Sequence, residues 1–192
     1  VEHIKTQMEN EMSALVVLNT KSAVSNLYSG LLNDYEIQDW GWDIVYLTTN
    51  QCPNHRLKII QDMKSHLVAL RKGNCKRKLI CVSTKLVEAG VDIDFDLVYR
   101  SLAGIDSIIQ CGGRCNREGE KSTKGRLYIL EYQDENLRNL PDLQKQRIAA
   151  KTALRMLKEG DIVGDWINIE KACDYYFEKL YANENAAGRY LE

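Results

Sequence analysis

"VSTKLVEAGVDIDFDLVYRSLAGIDSIIQCGGRCNR", residues 82–117, is the stretch on which the fold of this chain turns. A short apolar run closes on Ser83 and Thr84, and a loop with Gly90–Val91–Asp92 follows. A second apolar run, 95–100, leads into a segment that ends on Gly112–Gly113 and two arginines three residues apart. Short apolar runs that break into polar loops read as strands covered on both faces, as in parallel sheets. In open α/β sheets the loops at the carboxyl ends of the strands collect the function. Arg114 and Arg117, placed just after Gln110, then read either as a basic surface loop or as a sensor of phosphate.

Working outward, the same alternation continues in both directions. Residues 14–19, 43–49, 78–84, 95–100 and 125–132 read as strands, and 1–11, 22–32, 53–73 and about 104–116 as helices. Pro53 opens the third of these helices and Gly73 closes it. Beyond Pro141 only helical patterns remain, at 143–160 and 169–181. The expected fold is α/β, a mostly parallel sheet flanked by helices, with a helical C-terminal extension.

The 192 residues have enough apolar material for a core of their own, at 44% hydrophobic and 28% charged. A net charge of −1 says little, but Arg71 to Arg126 carries 12 Lys/Arg against 7 Asp/Glu. That local excess suits an anionic partner and equally suits a solvated face. Six cysteines include no Cys-x-x-Cys pair, and three histidines (His3, His55, His66) are too few to suggest zinc, so no metal ligands are assigned. Cys81 reads as core. No signal peptide or long apolar stretch is seen, so the expectation is a cytoplasmic protein with reduced thiols and no membrane partner. The opening Val1 fits a piece of a longer chain.

Four strand-end loops are polar: 19–23, 48–56, 83–94 and 101–117. Thr20, Thr48, Thr49 and Thr84 bring hydroxyls beside helix starts, where backbone N–H groups bind phosphate well. Each threonine, taken singly, reads as a helix N-cap. On a helix, Arg114 and Arg117 would share a face and converge on one point. The glycine pair would let another backbone come close.

The words "VSTKLVEAGVDI" and "DSIIQCGGRCNREG" resemble motifs V and VI of superfamily 2 helicases: Thr84 with Gly90–Val91–Asp92, then Gln110, Gly113, Arg114 and Arg117. Cys111 stands where motif VI often has arginine. The resemblance implies a RecA-like domain whose arginines serve a nucleotide held mainly elsewhere. No Gly-x-x-x-x-Gly-Lys-Ser/Thr phosphate loop is present, and no Asp-Glu pair is read at a strand end that would hold magnesium. The chain therefore reads as the second of two RecA-like domains. It would be inert alone, with ATP shared with a missing first domain and Mg²⁺ held there.

"LVVLNTKSAVSNLYSGL", "YLTTNQCPNHRLKII" and "EAGVDIDFDLVYRSLAGIDSIIQCGGRCNREGE" further resemble the type I CRISPR-associated helicase–nuclease, the Cas-three family, over about 12–132. Residues 138–185 resemble the helical segment before that family's C-terminal domain. The expected division is a second RecA-like domain at 1–135 and a helical extension at 136–192. The resemblance implies DNA-backbone contacts from Thr20, Lys21, Asn50, Arg56, Thr84 and Lys85. It implies nucleotide contacts from Gly90, Asp92 and Gly113, with Gln110, Arg114 and Arg117 facing the phosphates. It also implies a parent enzyme recruited by an RNA-guided surveillance complex, using ATP to move along single-stranded DNA and cutting it with a separate nuclease domain. Two alternatives stand beside this reading: the second motor domain of another superfamily 2 helicase, and a non-catalytic nucleic-acid-binding module.

Overall fold

The computed structural model describes residues 1–88, 91–115, 125–164 and 166–181. The chain divides into two compact units, Val1–Ser101 with Ile109–Glu135, and Leu102–Ile108 with Asn136 onward.

The first unit is built on five strands: β1 (Ser13–Val17), β2 (Asp43–Leu47), β3 (Leu79–Ser83), β4 (Leu97–Ser101) and β5 (Arg126–Leu130). They form one sheet in the order β2-β3-β1-β4-β5, and every neighbouring pair is parallel. This RecA-like sheet needs crossover connections, and the helices that make them cover both faces. All five residues of β1 are buried, and they alternate between two cores. Ala14, Val16 and Leu18 face a cluster with Ala23, Val24, Leu27 and Leu31. Leu15 and Val17 face another with Met63, Leu67 and Leu70. Period-two alternation with both faces covered is why the strand is uniformly apolar. Each fully buried Leu or Val contributes about 1.5–3 kcal/mol.

The helices start and stop where short-range chemistry allows. Thr20 is the N-cap of α2 (Lys21–Leu32), its Oγ1 accepting from Ala23 N at 3.2 Å. Pro53 opens α4 (Pro53–Arg71), following α1 (Glu2–Met8) and α3 (Tyr35–Trp40) in the chain. The α3 helix was not expected from periodicity, because six residues are too few to show one. Its ends were nevertheless written locally: Asp34 caps it by accepting from Ile37 N, and Gly41 stops it at φ 64°. One long-range clamp fixes the sheet at its other end. Asp96 Oδ2 accepts from Met12 N and Ser13 N, both at 2.9 Å, and Ser13 Oγ accepts from Asp96 N at 3.1 Å.

Helix α5 (Ile105–Gly112) is shorter than the expected 104–116. At Gly112–Gly113 the bonding tightens: Arg114 N donates to Cys111 O and Cys115 N to Gly112 O, three residues back. Phe95 N then takes Arg114 O at 2.9 Å, and Cys115 forms a parallel bridge with Phe95. The backbone thus leaves the helix to pair with the approach to β4, so Arg114 is not a helical residue.

In the second unit, α6 (Pro141–Met156) packs against α7 (Ile169–Tyr181), giving the helical extension. Between them lies an unexpected two-residue antiparallel pair, β6 (Ile162–Val163) and β7 (Trp166–Ile167), turned by Gly164 at φ 59°. Buried Tyr176 donates to Asp106 Oδ1 at 3.3 Å. Asp161, 4% exposed, pairs with Lys171 at 2.5 Å. Among the described residues no helix is long and apolar enough to cross a membrane.

Candidate functional site

A sheet whose strands are all parallel has all their carboxyl ends at one edge. Val17 of β1 lies opposite Ser83 of β3 and Arg100 of β4, and Leu47 of β2 lies opposite Ser83. The loops that begin with Thr20–Lys21, Asn50 and Thr84–Lys85 therefore open from this one edge, although 65 positions separate Thr20 from Lys85.

The side chains differ in how far they are already engaged. Lys21, Asn50 and Lys85 are exposed. Thr20 spends its hydroxyl on the α2 cap, as the bland reading has it. Thr84 makes no side-chain cap bond at the start of the single 3₁₀ turn Lys85–Val87 that follows it. The Arg56 guanidinium donates to Gln51 O at 3.1 Å, holding it against the loop before its own helix. Buried Thr48 is structural: its N–H donates to Gln51 Oε1, and its hydroxyl bonds Tyr46 and accepts from Asn50 N.

On the nucleotide side, Asp92 and Gln110 are exposed and Arg114 is half-buried. The Arg114 Nη2 donates to Glu88 O at 2.8 Å and its Nε to Val87 O at 3.2 Å. This guanidinium is docked on the loop after β3 and does not project from a helix face. Gly90 and Arg117 lie outside the described residues. An added Cβ at Gly112 would meet only Leu127 Cδ1, at 3.7 Å, and one at Gly113 would meet carbonyls of its own turn. The close approach falls elsewhere, at Gly125, where a Cβ would sit 2.7 Å from Cys115 O.

Cys111, in the place where motif VI often has arginine, is fully buried. Burial pushes its thiol up to about 12, with Arg100, Glu88 and Arg114 as its charged neighbours. Cys115 is likewise raised to about 12 by burial, its thiol donating to Asp96 O and Arg126 O at 3.3 Å. Both thiols are therefore held protonated near neutral pH. Among the described residues no group of three or more His, Cys, Asp or Glu could hold a metal ion. Amide and guanidinium donors beside exposed lysines form a set suited to phosphate oxygens instead.

Sequence reasoning overlooked the residues that tie this edge together. Arg100, 2% exposed and next to last in β4, has its Nε 2.9 Å from Glu88 Oε1 and its Nη1 2.7 Å from Asn19 Oδ1. Asn19 N and Nδ2 donate to the two oxygens of Glu135, at 2.5 and 2.7 Å. Contrary to the expectation of no such pair at a strand end, Asp134–Glu135 stands beyond β5, with Glu135 accepting from Asn19 and from Ser101 Oγ at 2.7 Å. The signal available beforehand was an arginine closing an otherwise apolar strand.

Known proteins resemble this chain in sequence and in fold. A curated CRISPR-associated nuclease/helicase Cas3 from Haloferax volcanii is 34% identical over 127 residues, 65% of this chain and 12% of that protein. Its counterpart from Methanothermobacter thermautotrophicus is 26% identical over 166 residues, 85% of this chain and 18% of that protein. The chain thus spans under a fifth of the length of either relative. The crystal structure of T. fusca Cas3-ATP superposes with a TM-score of 0.72 over 97% of this chain and 23% of its own, at 19% identity. A CRISPR RNA-guided surveillance complex, pre-nicking, contains a chain that matches at TM-score 0.59 and 18% identity, over 96% of this chain and 24% of its own. These two likenesses bear on the fold. The family model described as CRISPR-associated nuclease/helicase Cas3, C-terminal, matches residues 10–120, the segment holding all four strand-end loops, and the chain belongs to that family.

Proposed function

We propose that this chain is the second motor domain of a longer ATP-driven helicase–nuclease of CRISPR interference, acting on single-stranded DNA in the cytoplasm. What supports the reading most is one observation: the parallel sheet opens the loops of Thr20–Lys21, Asn50 and Thr84–Lys85 from a common edge, and the Arg114 guanidinium reaches the loop after β3 at Glu88 O and Val87 O. On this proposal residues 1–135 form the motor domain, and 136–192 lead towards a further C-terminal domain. A first RecA-like domain, a nuclease domain and an RNA-guided surveillance complex are the partners.

The roles follow from side-chain chemistry. Lys21, Lys85 and Arg56 supply positive charge to the DNA backbone, with Thr20, Thr84 and Asn50 as hydrogen-bonding groups. Such contacts hold the strand without reading its sequence. Asp92, with Gly90 and Gly113, lines the nucleotide side, where Gln110 offers an amide. ATP, when bound between this domain and the first, supplies the phosphoryl group whose transfer drives movement; Mg²⁺ is held by the first domain. Arg114 and Arg117 bring guanidinium charge to oxygens on which negative charge builds up. Since the phosphate loop is absent from this chain, it turns over no ATP by itself.

The test is Arg117→Ala in the full-length parent, with steady-state ATP turnover on single-stranded DNA measured beside nucleotide binding. An arginine acting only when two domains close lowers kcat by roughly 10³–10⁵ and alters nucleotide affinity far less. Wild-type turnover in this variant removes the motor reading.

A further inference from the structure

Arg100 belongs to none of the helicase motif positions, and its environment is unusual for an arginine. At 2% exposure it has given up water almost completely. Burying an ion pair is a poor way to gain stability, because the desolvation cost of both charges offsets most of their attraction. Such a pair does impose geometry, since in a low-dielectric interior each bond must be made in full. What Arg100 joins is therefore informative.

Its Nε edge meets Glu88 Oε1 at 2.9 Å, in the loop after β3. Its Nη1 meets Asn19 Oδ1 at 2.7 Å, in the loop after β1, and Ser101 O at 2.8 Å in its own strand. Asn19 passes the connection on to Glu135, beyond β5. One planar group thus bridges two strand-end loops, and a relay carries the link to a third segment. Asn19 is the residue before Thr20, and Glu88 follows the 3₁₀ turn Lys85–Val87 that Thr84 precedes. The Glu88 carbonyl, on the other side of the same loop, receives Arg114.

We infer that Arg100 is a positioning residue: it sets the spacing between the Thr20–Lys21 and Thr84–Lys85 loops and registers both with Arg114. It touches neither DNA nor nucleotide. The inference rests on the motor reading above, under which those loops grip one DNA strand and Arg114 serves ATP turnover. Through this bridge a strand engaging both loops fixes the seat of Arg114, so that DNA binding and turnover rise together.

The experiment uses the full-length parent protein. A double variant, Arg100→Met with Glu88→Gln, removes both buried charges at nearly constant volume, so that no unpaired charge is left inside. A second variant, Arg100→Lys, keeps the charge but lacks the planar fork that meets Glu88 and Asn19 at once. ATP turnover is titrated with single-stranded DNA, and thermal unfolding is followed on the same preparations. The expected result is a melting temperature near wild type, a fall of at least about ten-fold in DNA stimulation, and a rise in half-saturating DNA for both variants, with Arg100→Lys the milder. Folded variants with the wild-type DNA dependence overturn the inference while the motor reading stands. Unfolding of both variants also overturns it, since Arg100 would then serve only the fold. A wild-type parent without DNA-stimulated turnover removes the motor reading, and this inference with it.

Discussion

Replacing Arg114 by alanine separates a docked guanidinium from one that merely projects into solvent. The structure gives this side chain two charge-assisted bonds, 2.8 Å to Glu88 O and 3.2 Å to Val87 O. Hydrogen bonds to charged groups contribute about 1.5–3 kcal/mol each. Arg114 is half-buried, so water replaces part of what is lost, and the longer bond is the weaker. Taking about 1.5 kcal/mol for the first and about 0.5 for the second gives a loss near 2 kcal/mol. With a urea slope of about 2 kcal/mol/M for a domain of this size, the unfolding midpoint of the 192-residue chain falls by about 1 M. Gln110→Ala, at an exposed neighbouring site, is the control and shifts stability by less than about 0.5 kcal/mol. Arg114→Lys recovers little, because one ammonium cannot serve two carbonyls in the geometry of the fork. Urea titrations followed by circular dichroism decide the matter. If Arg114→Ala unfolds with the Gln110→Ala control, the guanidinium is not docked on the Val87–Glu88 loop, and the reasoning fails.

Two further perturbations probe the same region. Gly125→Ala places a Cβ 2.7 Å from Cys115 O and 2.9 Å from Cys115 C, where backbone must move. Overpacking of this kind costs about 1–3 kcal/mol. Gly160→Ala, with nothing within 4 Å, is the comparison, and equal urea midpoints for the two variants would refute the close approach. The thiols of Cys81 and Cys111, pushed up to about 12 by burial, contribute to the loss of stability at alkaline pH, as does Cys115. A raised folded pKa favours the protonated form, so its contribution is complete below the unfolded value of 9.0 and is lost as pH rises from there towards about 12. At one unit above the unfolded value each thiol lowers stability by about 1.4 kcal/mol. Urea midpoints at pH 8 and pH 10 should therefore converge in Cys81→Ala more than in wild type, and identical slopes would count against the burial argument.

The sequence alone determined the alternation of strands and helices and the helical character of the last third. These are local matters: period two with both faces apolar marks a strand such as 14–19, and a proline or glycine marks where a helix such as 53–73 begins and ends. Motif spacing added the family resemblance through Thr84, Gly90, Asp92, Gln110, Gly113, Arg114 and Arg117. The helix expected over 104–116 failed at its end for a tertiary reason. Two glycines released the backbone, and Phe95, far earlier in the chain, took the Arg114 carbonyl. That exchange decided where Arg114 sits, against carbonyls 26 and 27 positions earlier. The same holds for Arg100, whose partners Glu88 and Asn19 lie in separate loops, and for Asn19 and Glu135, 116 positions apart. No periodicity records such pairs. Only the parallel sheet, by bringing the ends of β3, β1, β4 and β5 to one edge, makes them neighbours, and only burial there turns four ordinary polar residues into one connected network.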